Sequence, residues 1–282
     1  MTIVADSGST KTTWVDIDTG NKVVTNGLNP HFTTDEQILS ACHKILEHFS
    51  LFTFHFSLYF YSAGCGNAKQ RQRMEKMLSA GFRTGMIHVG TDMLGACRAV
   101  SGGRASIVAI LGTGSNACYY DGDRIKCQPT STGYVMGDNG SANHVGRILL
   151  NDYLTQRMPR EARHLFHDTF QMSDSKLVDA VYHQPNPNRF LASLAPFAVE
   201  NEREEYCGRV ISEALYDWYH GPLETLRNRS RYRKGEINLV GGFAKAIEHR
   251  IRDFFTDDSL HVGTVVADPI EGLAEYHRIK NS

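Results

Sequence analysis

"VADSGSTKTTW", residues 4–14, decides how this chain is read. An apolar run ends in Asp6, and the side chains then shrink to Ser7, Gly8, Ser9 and Thr10 before Lys11 and two further threonines. A short apolar run that breaks into small hydroxyl residues and then resumes reads as strand (1–5), tight turn, returning strand (12–17). The same syntax returns later. "ASIVAILGTGS" (105–115) is a β-branched strand ending in Gly112-Thr113-Gly114-Ser115, and "ACYYDGD" (117–123) is its hairpin return. The echo is one of topology rather than of letters. A further buried strand, "EINLVGGFA" (236–244), ends in Gly241 and Gly242.

Between these points strands and helices alternate. Thr34 and Gln37 form a capping-box pattern ahead of a helix whose apolar face carries Ile38, Cys42, Ile45, Leu46 and Phe49. "FHFSLYFYSAG" (54–64) reads as a buried strand, 69–79 as a helix, "GMIHVGTD" (85–92) as the next strand and 93–100 as the next helix. This rhythm predicts an α/β fold with a largely parallel sheet. "SGGR" (101–104) is the natural boundary, giving domains 1–103 and 104–267, with the closing helix 268–282 joined to the first. In that helix Asp268 is placed to cap, Pro269 to start and Glu271 to complete a capping box. Pro222, inside an apolar helical stretch, predicts a kink or a split.

The turns carry a shared physical sense. A phosphate chain needs backbone N–H groups at close approach, which a Cβ obstructs. Gly8, Gly112, Gly114, Gly241 and Gly242 supply that access, and Ser9, Thr10, Thr113 and Ser115 add hydroxyl donors. Lys11 adds a point charge. Asp6, at a strand tip, can hold the hydrated Mg²⁺ that accompanies ATP. The sequence has neither G-x-x-x-x-G-K-[ST] nor a G-x-G-x-x-G opening a helix, which excludes P-loop and dinucleotide-binding readings. Two further acids stand out locally: Asp92, either a helix cap or a functional carboxylate, and Asp138 in "GYVMGDNGSA", either a turn former or a ligand group.

Bulk properties narrow the classes. Thirty basic and 31 acidic residues give a net charge of −1, which predicts no nucleic-acid partner and no membrane surface. The basic run "RNRSRYRKG" (227–235) reads as a solvated loop. The six cysteines form no C-x-x-C pair and most lie in apolar surroundings, as expected of reduced core residues in a cytoplasmic protein with no signal peptide. No stretch is long and apolar enough to span a membrane, and the histidines show no zinc-type spacing.

Taken in order, the motifs resemble those of the BadF/BadG/BcrA/BcrD family, which includes the eukaryotic-type N-acetylglucosamine kinases within the actin-like, sugar-kinase superfamily. "DSGSTKT" resembles the first phosphate loop, "TDMLGA" (91–96) the T-D-x-x-G-A segment, and "LGTGSNA" (111–117) the second phosphate loop. "GYVMGDNGSA" resembles the sugar-kinase G-D-E-G-S segment, "LVGGFA" the adenosine-side glycine pair, and "DPIEGLA" the closing helix. The resemblance implies two related actin-like ATPase (ribonuclease H-like) domains around a nucleotide cleft. It implies a Mg·ATP-dependent sugar kinase acting on an amino sugar such as N-acetylglucosamine, in a fold where homodimers are common. Carried onto this chain, Asp92 becomes the catalytic base and a sugar contact. Gly137, Asp138 and Asn29 (in "GLNPH", 27–31) fall on the sugar, and Gly241, Gly242 and Ala244 on the adenosine side. Ser7 departs from the family's glycine, Asn139 from its glutamate and Thr132 from the kinases' tryptophan. The other branch of the family comprises ATPase activators of reductases and dehydratases, which hold an iron–sulfur cluster on exposed cysteines. Here Cys127 is the one inviting cysteine, and activators tend to lack the G-D-x-G-S segment that this chain has.

Overall fold

The computed structural model describes residues 1–8, 10–50, 56–84, 86–256 and 259–281. The chain divides into two compact units, Met1–Arg104 with Asp268–Ser282, and Ala105–Ala267. In the first, β1 (Thr2–Ser7), β2 (Lys11–Asp16) and β3 (Lys22–Asn26) form an antiparallel meander. After α1 (Asp35–His48) comes β4 (Ser57–Ser62), and after α2 (Ala68–Phe82) comes β5 (Ile87–Thr91). Both lie parallel on the far side of β1, giving the order β3-β2-β1-β4-β5. α3 (Asp92–Val100) follows directly.

The apolar run of β1 is explained by burial on both faces. Alternate residues point to opposite sides of a strand. Ile3 and Ala5 join Trp14, Phe60 and the apolar faces of α1 and α2. Val4 joins Val15, Tyr61, Leu273 and Ala274 on the other side. The second unit repeats the plan: β6 (Ser106–Leu111), β7 (Ser115–Tyr120) and β8 (Ile125–Cys127) form a meander. Here α4 (Gly133–Met136), α5 (Ala142–Leu154), α6 (Arg160–Phe170), α7 (Asp174–Tyr182), α8 (Pro187–Glu200), α9 (Glu205–Trp218) and α10 (Glu224–Ser230) intervene. β9 (Gly235–Val240), α11 (Gly242–Ala246), α12 (Glu248–Phe254) and β10 (Leu260–Val266) then complete the sheet β10-β9-β6-β7-β8. β9 is parallel to β6 and β10 to β9, so the second sheet matches the first strand for strand. The chain ends in α13 (Ile270–Asn281), which belongs to the first unit.

Four local expectations are refined. The strand expected from Phe54 begins at Ser57, with residues 51–55 outside the description. Pro222 lies in a π-helical turn, Tyr219–Leu223, joining α9 to α10: the wider turn accommodates a residue with no N–H to donate. The basic run is helical through Ser230, and Arg227 is tied down by bonds to the Tyr219 hydroxyl and the Arg233 carbonyl. Asp268 does cap α13, its Oδ1 accepting from the Ile270 N–H (3.1 Å), whereas Glu271 pairs with Lys22 on β3.

Among the described residues no helix is long and apolar enough to cross a membrane. Within the second unit α5 crosses α8 with no room for a side chain at Gly146, where a Cβ would overlap the Leu191 carbonyl. Gly146→Ala is therefore expected to lower stability by about 1–3 kcal/mol, read as a fall in the urea unfolding midpoint. An unchanged midpoint would show that the helices part at no cost.

Candidate active site

In the first unit the parallel strands β1, β4 and β5 end together. Ser7 pairs with Ser62, and Ser62 with Thr91. Asp6 and Asp92 therefore sit at the same end of one sheet, roughly 10 Å apart by strand spacing. Thr91 caps α3, its hydroxyl accepting from Leu94 N–H at 3.1 Å. Asp92 is thus the first helical residue rather than the cap, and its Oδ1 accepts from Met93 N–H at 2.9 Å. Burial pushes the Asp92 carboxyl above its usual range. Asp6 is pushed up to about 8, first by burial, then by the charges of Asp268 and Asp92, with Lys11 opposing. Lys11 Nζ lies 2.6 Å from Asp268 Oδ2. Asp268 also receives a long bond from the Thr13 hydroxyl (3.4 Å).

The first loop is short. Gly8 N–H donates to the Lys11 carbonyl at 3.0 Å, and Thr10, exposed, accepts from Gly27 N–H through its carbonyl. Ser9 lies outside the described residues. Ser7, standing where the resembling family has glycine, is fully buried. Its hydroxyl bonds Thr12 Oγ1 (2.8 Å) and accepts from Leu28 N–H (2.9 Å). The substitution thus fastens the loop to the segment that carries Asn29. Asn29 is buried, and its Oδ1 accepts from His31 N–H at 3.0 Å. Gly64 approaches it so closely that a Cβ there would overlap Oδ1.

The second unit holds its own loop. Gly112 N–H donates to the Gly114 carbonyl (3.0 Å), closing the turn. The carbonyls of Gly112 and Thr113 accept from Ala142 and Asn143 N–H at the start of α5. Asp138 is placed beside this loop: Oδ1 accepts from Ser115 N–H (3.2 Å) and Oδ2 from Asn143 Nδ2 (2.9 Å). A Cβ on Gly114 would stand 2.8 Å from that carboxylate. Asp138 adopts φ 55°, a left-handed conformation that Asp tolerates better than most residues. Gly137 ends α4 just before it. Asn139 Nδ2 donates to the Asp217 carbonyl (3.3 Å), a bond that the family's glutamate, once ionised, has no proton to make. Gly241 has φ 133°, and a Cβ there would overlap the Leu111 carbonyl. Its N–H bonds the Val266 carbonyl (2.8 Å), with Gly242 and the buried Ala244 following in α11.

The donor chemistry fits a hydrated divalent cation. The charges of Asp268 and Asp92 both act on Asp6, and Lys11 opposes them, so added positive charge at Asp6 is favoured. Among the described residues no three His, Cys, Asp or Glu side chains converge to chelate a metal directly. A divalent cation such as Mg²⁺ would fit there through its water shell, with Asp6 and Asp268 as the carboxylates to hold it. The reading of the sequence missed Asp268 here, because its capping oxygen accounts for only half of its carboxylate.

No protein-family model matches the chain, and no curated protein matches it at a significant level. Solved structures do. A candidate N-acetylglucosamine kinase from Porphyromonas gingivalis is 29% identical with a TM-score of 0.91, covering 100% of both chains. A second candidate N-acetylglucosamine kinase, from Chromobacterium violaceum, is 17% identical with a TM-score of 0.74, covering 98% of each chain. A ROK-family glucokinase from Streptomyces griseus, solved with glucose and AMPPNP, is 14% identical with a TM-score of 0.55, covering 100% of this chain and 99% of its own. The chain has the actin-like sugar-kinase fold. The narrower BadF resemblance rests on the motifs alone.

Asp6 gives a pH test. Its carboxyl is raised from 3.8 to about 8 in the folded chain, so between those values the native state holds a proton that the unfolded state releases. Stability of the nucleotide-free protein should fall as pH rises through that window. Asp6→Asn removes the penalty, so its gain in Tm over wild type should be small near the lower bound and grow toward the upper. Thermal melts across pH check this, and a pH-independent difference would refute the assignment.

Proposed function

We propose that the chain is an ATP-dependent sugar kinase that transfers the γ-phosphoryl group to a hydroxyl of an N-acetylhexosamine such as N-acetylglucosamine. The observation that carries this is Asp92, a largely enclosed carboxylate with a raised pKa, set beside the Asp6–Lys11–Asp268 cluster at the carboxyl ends of the parallel strands β1, β4 and β5. A carboxylate with raised basicity suits proton acceptance from a sugar hydroxyl as its oxygen attacks phosphorus. The likeness to the Porphyromonas gingivalis protein over its full length supports the amino-sugar reading.

The roles are assigned within each unit by itself. From the first, Gly8, Ser9, Thr10 and Lys11 hold phosphate oxygens, and Asp6 orients the water shell of Mg²⁺. When bound, that ion offsets the negative charge of the phosphates. From the second, the Gly112–Ser115 turn donates backbone and hydroxyl groups to phosphate, while Gly241, Gly242 and Ala244 leave the adenosine side unobstructed. Lys11 must exchange Asp268 for phosphate, a trade between two anionic partners. Asn29 and Asp138, with Gly137, are assigned to the sugar. Each Asp138 oxygen retains a lone pair beyond its bonds to Ser115 and Asn143, so a ring hydroxyl can donate to it without breaking them. The activator alternative is disfavoured by the cysteines: five are buried and Cys127 is half-buried.

The test is ADP release from Mg·ATP across a panel of amino sugars and hexoses, with a no-sugar control. Release should rise with an N-acetylated sugar, and release indifferent to every sugar would refute the kinase reading. Asp92→Asn should retain nucleotide binding and lose turnover by about 10²–10⁴-fold, the usual worth of a general base. A near-normal rate would remove Asp92 from the role.

A further inference from the structure

The turn that carries Asp138, residues 138–141, lies in the second unit and is gripped from two sides. Asp138 (φ 55°) and Gly140 (φ 76°) are both left-handed. Two such residues in three are not held by their own conformational preference, so the turn depends on bonds from outside it. Two successive residues in the first turn of α5 reach back to supply them. Asn143 Nδ2 donates to the Asp138 carboxylate (2.9 Å), and His144 Nδ1 accepts the Gly140 N–H (3.1 Å). Ser141 prepares this reach by capping α5, its hydroxyl accepting the His144 N–H (3.3 Å).

The end of α9 closes the other side. Trp218 packs so tightly on Gly140 that a Cβ there would stand 2.6 Å from the Trp218 Cβ. Asn139 Nδ2 donates to the Asp217 carbonyl (3.3 Å), and His144 Nε2 lies 3.6 Å from Asp217 Oδ2. The buried imidazole thus spans from the turn to α9.

The direction of the Gly140 bond decides the state of that ring. A backbone N–H only donates, so Nδ1 carries no proton, and in the neutral ring the proton is on Nε2, facing Asp217. A second proton, on Nδ1, would set N–H against N–H. The surroundings oppose it: burial, then the charge of Arg147, push His144 down to about 4, against the pull of Asp217. The buried Gly140 N–H therefore keeps its acceptor at neutral pH, and a buried donor left without one is costly.

We propose that His144 is a positioning residue for the sugar site: by accepting the Gly140 N–H it holds the 138–141 turn, and with it the Asp138 carboxylate, in the geometry that receives a sugar hydroxyl. His144 acts through Asp138 rather than on the substrate itself. This role rests on the assignment of Asp138 to the sugar.

Packing and hydrogen bonding predict opposite orders for two variants. His144→Phe keeps a ring and loses the acceptor. His144→Asn loses much of the ring and keeps an acceptor at the same reach, because Oδ1, like Nδ1, is bonded to Cγ. Amide hydrogen exchange of residues 138–141 in the full, ligand-free chain should speed about tenfold in His144→Phe, the worth of one hydrogen bond, and stay within about threefold of wild type in His144→Asn. KM for the sugar should follow the same order. The reverse order, or equal effects of the two variants, overturns the proposal, since the ring then only fills space. Nitrogen chemical shifts of the wild-type His144 ring need no variant to fold: a proton on Nε2 and none on Nδ1 is expected, and a proton on Nδ1 at neutral pH overturns the proposal. Exchange and ring shifts are read without nucleotide or sugar. A chain indifferent to every sugar therefore sinks the kinase reading, while the hold of His144 on the turn is decided by these two measurements.

Discussion

Asp6 occupies a place where an ionised carboxylate is poorly supported. It stands one residue before the end of a strand buried on both faces, with Asp92 and Asp268 close enough to raise its proton affinity and one lysine to oppose them. Much of the local architecture of the first unit answers that imbalance. Lys11 is held against Asp268, Thr13 adds a weak bond to the same carboxylate, and the turn from Gly8 to Lys11 presents the lysine at the strand tip. In such a cluster a cation is not an accessory. One bound there would take the place of the proton that burial and the two neighbouring acids favour on Asp6.

The second unit meets a different constraint, close approach of backbone to backbone. Gly241 lies against the Leu111 carbonyl and Gly114 against the Asp138 carboxylate. Both glycines are placed where a side chain would force a loop away from its neighbour. Asp138 then does two things at once: it holds the Ser115 N–H and it anchors Asn143 near the start of α5. The turn is thereby held in shape before any ligand arrives.

Local pattern made the architecture readable, and distance in sequence hid the pairings. The run through β1, the strand returns after it and after β6, and the Thr34–Gln37 capping box are properties of neighbouring residues, and the structure has each of them. The repetition of the two sheets was visible as strand, turn, strand, although neither the short β8 nor the edge strand β10 was foreseen. What stayed hidden joins residues far apart. The Lys11–Asp268 pair spans nearly the whole chain, and Ser7 reaches Leu28 across a meander. Asn139 finds its partner on α9. For Asp92, the adjoining Thr91 was the signal: a threonine one position earlier is the better-placed cap, which leaves the aspartate for other work.

The first unit is assembled from two segments far apart in sequence, 1–104 and 268–282. During synthesis the second unit, continuous in sequence, can complete itself while the first still lacks its closing helix. Until α13 emerges, Val4, Val15 and Ile17 have no Leu273 or Ala274 to cover them, and one face of the first sheet stays wet. Domains ordinarily mature in order from the N-terminus. Here the first unit cannot close until its second segment, which follows the whole of the second unit in sequence, has been made.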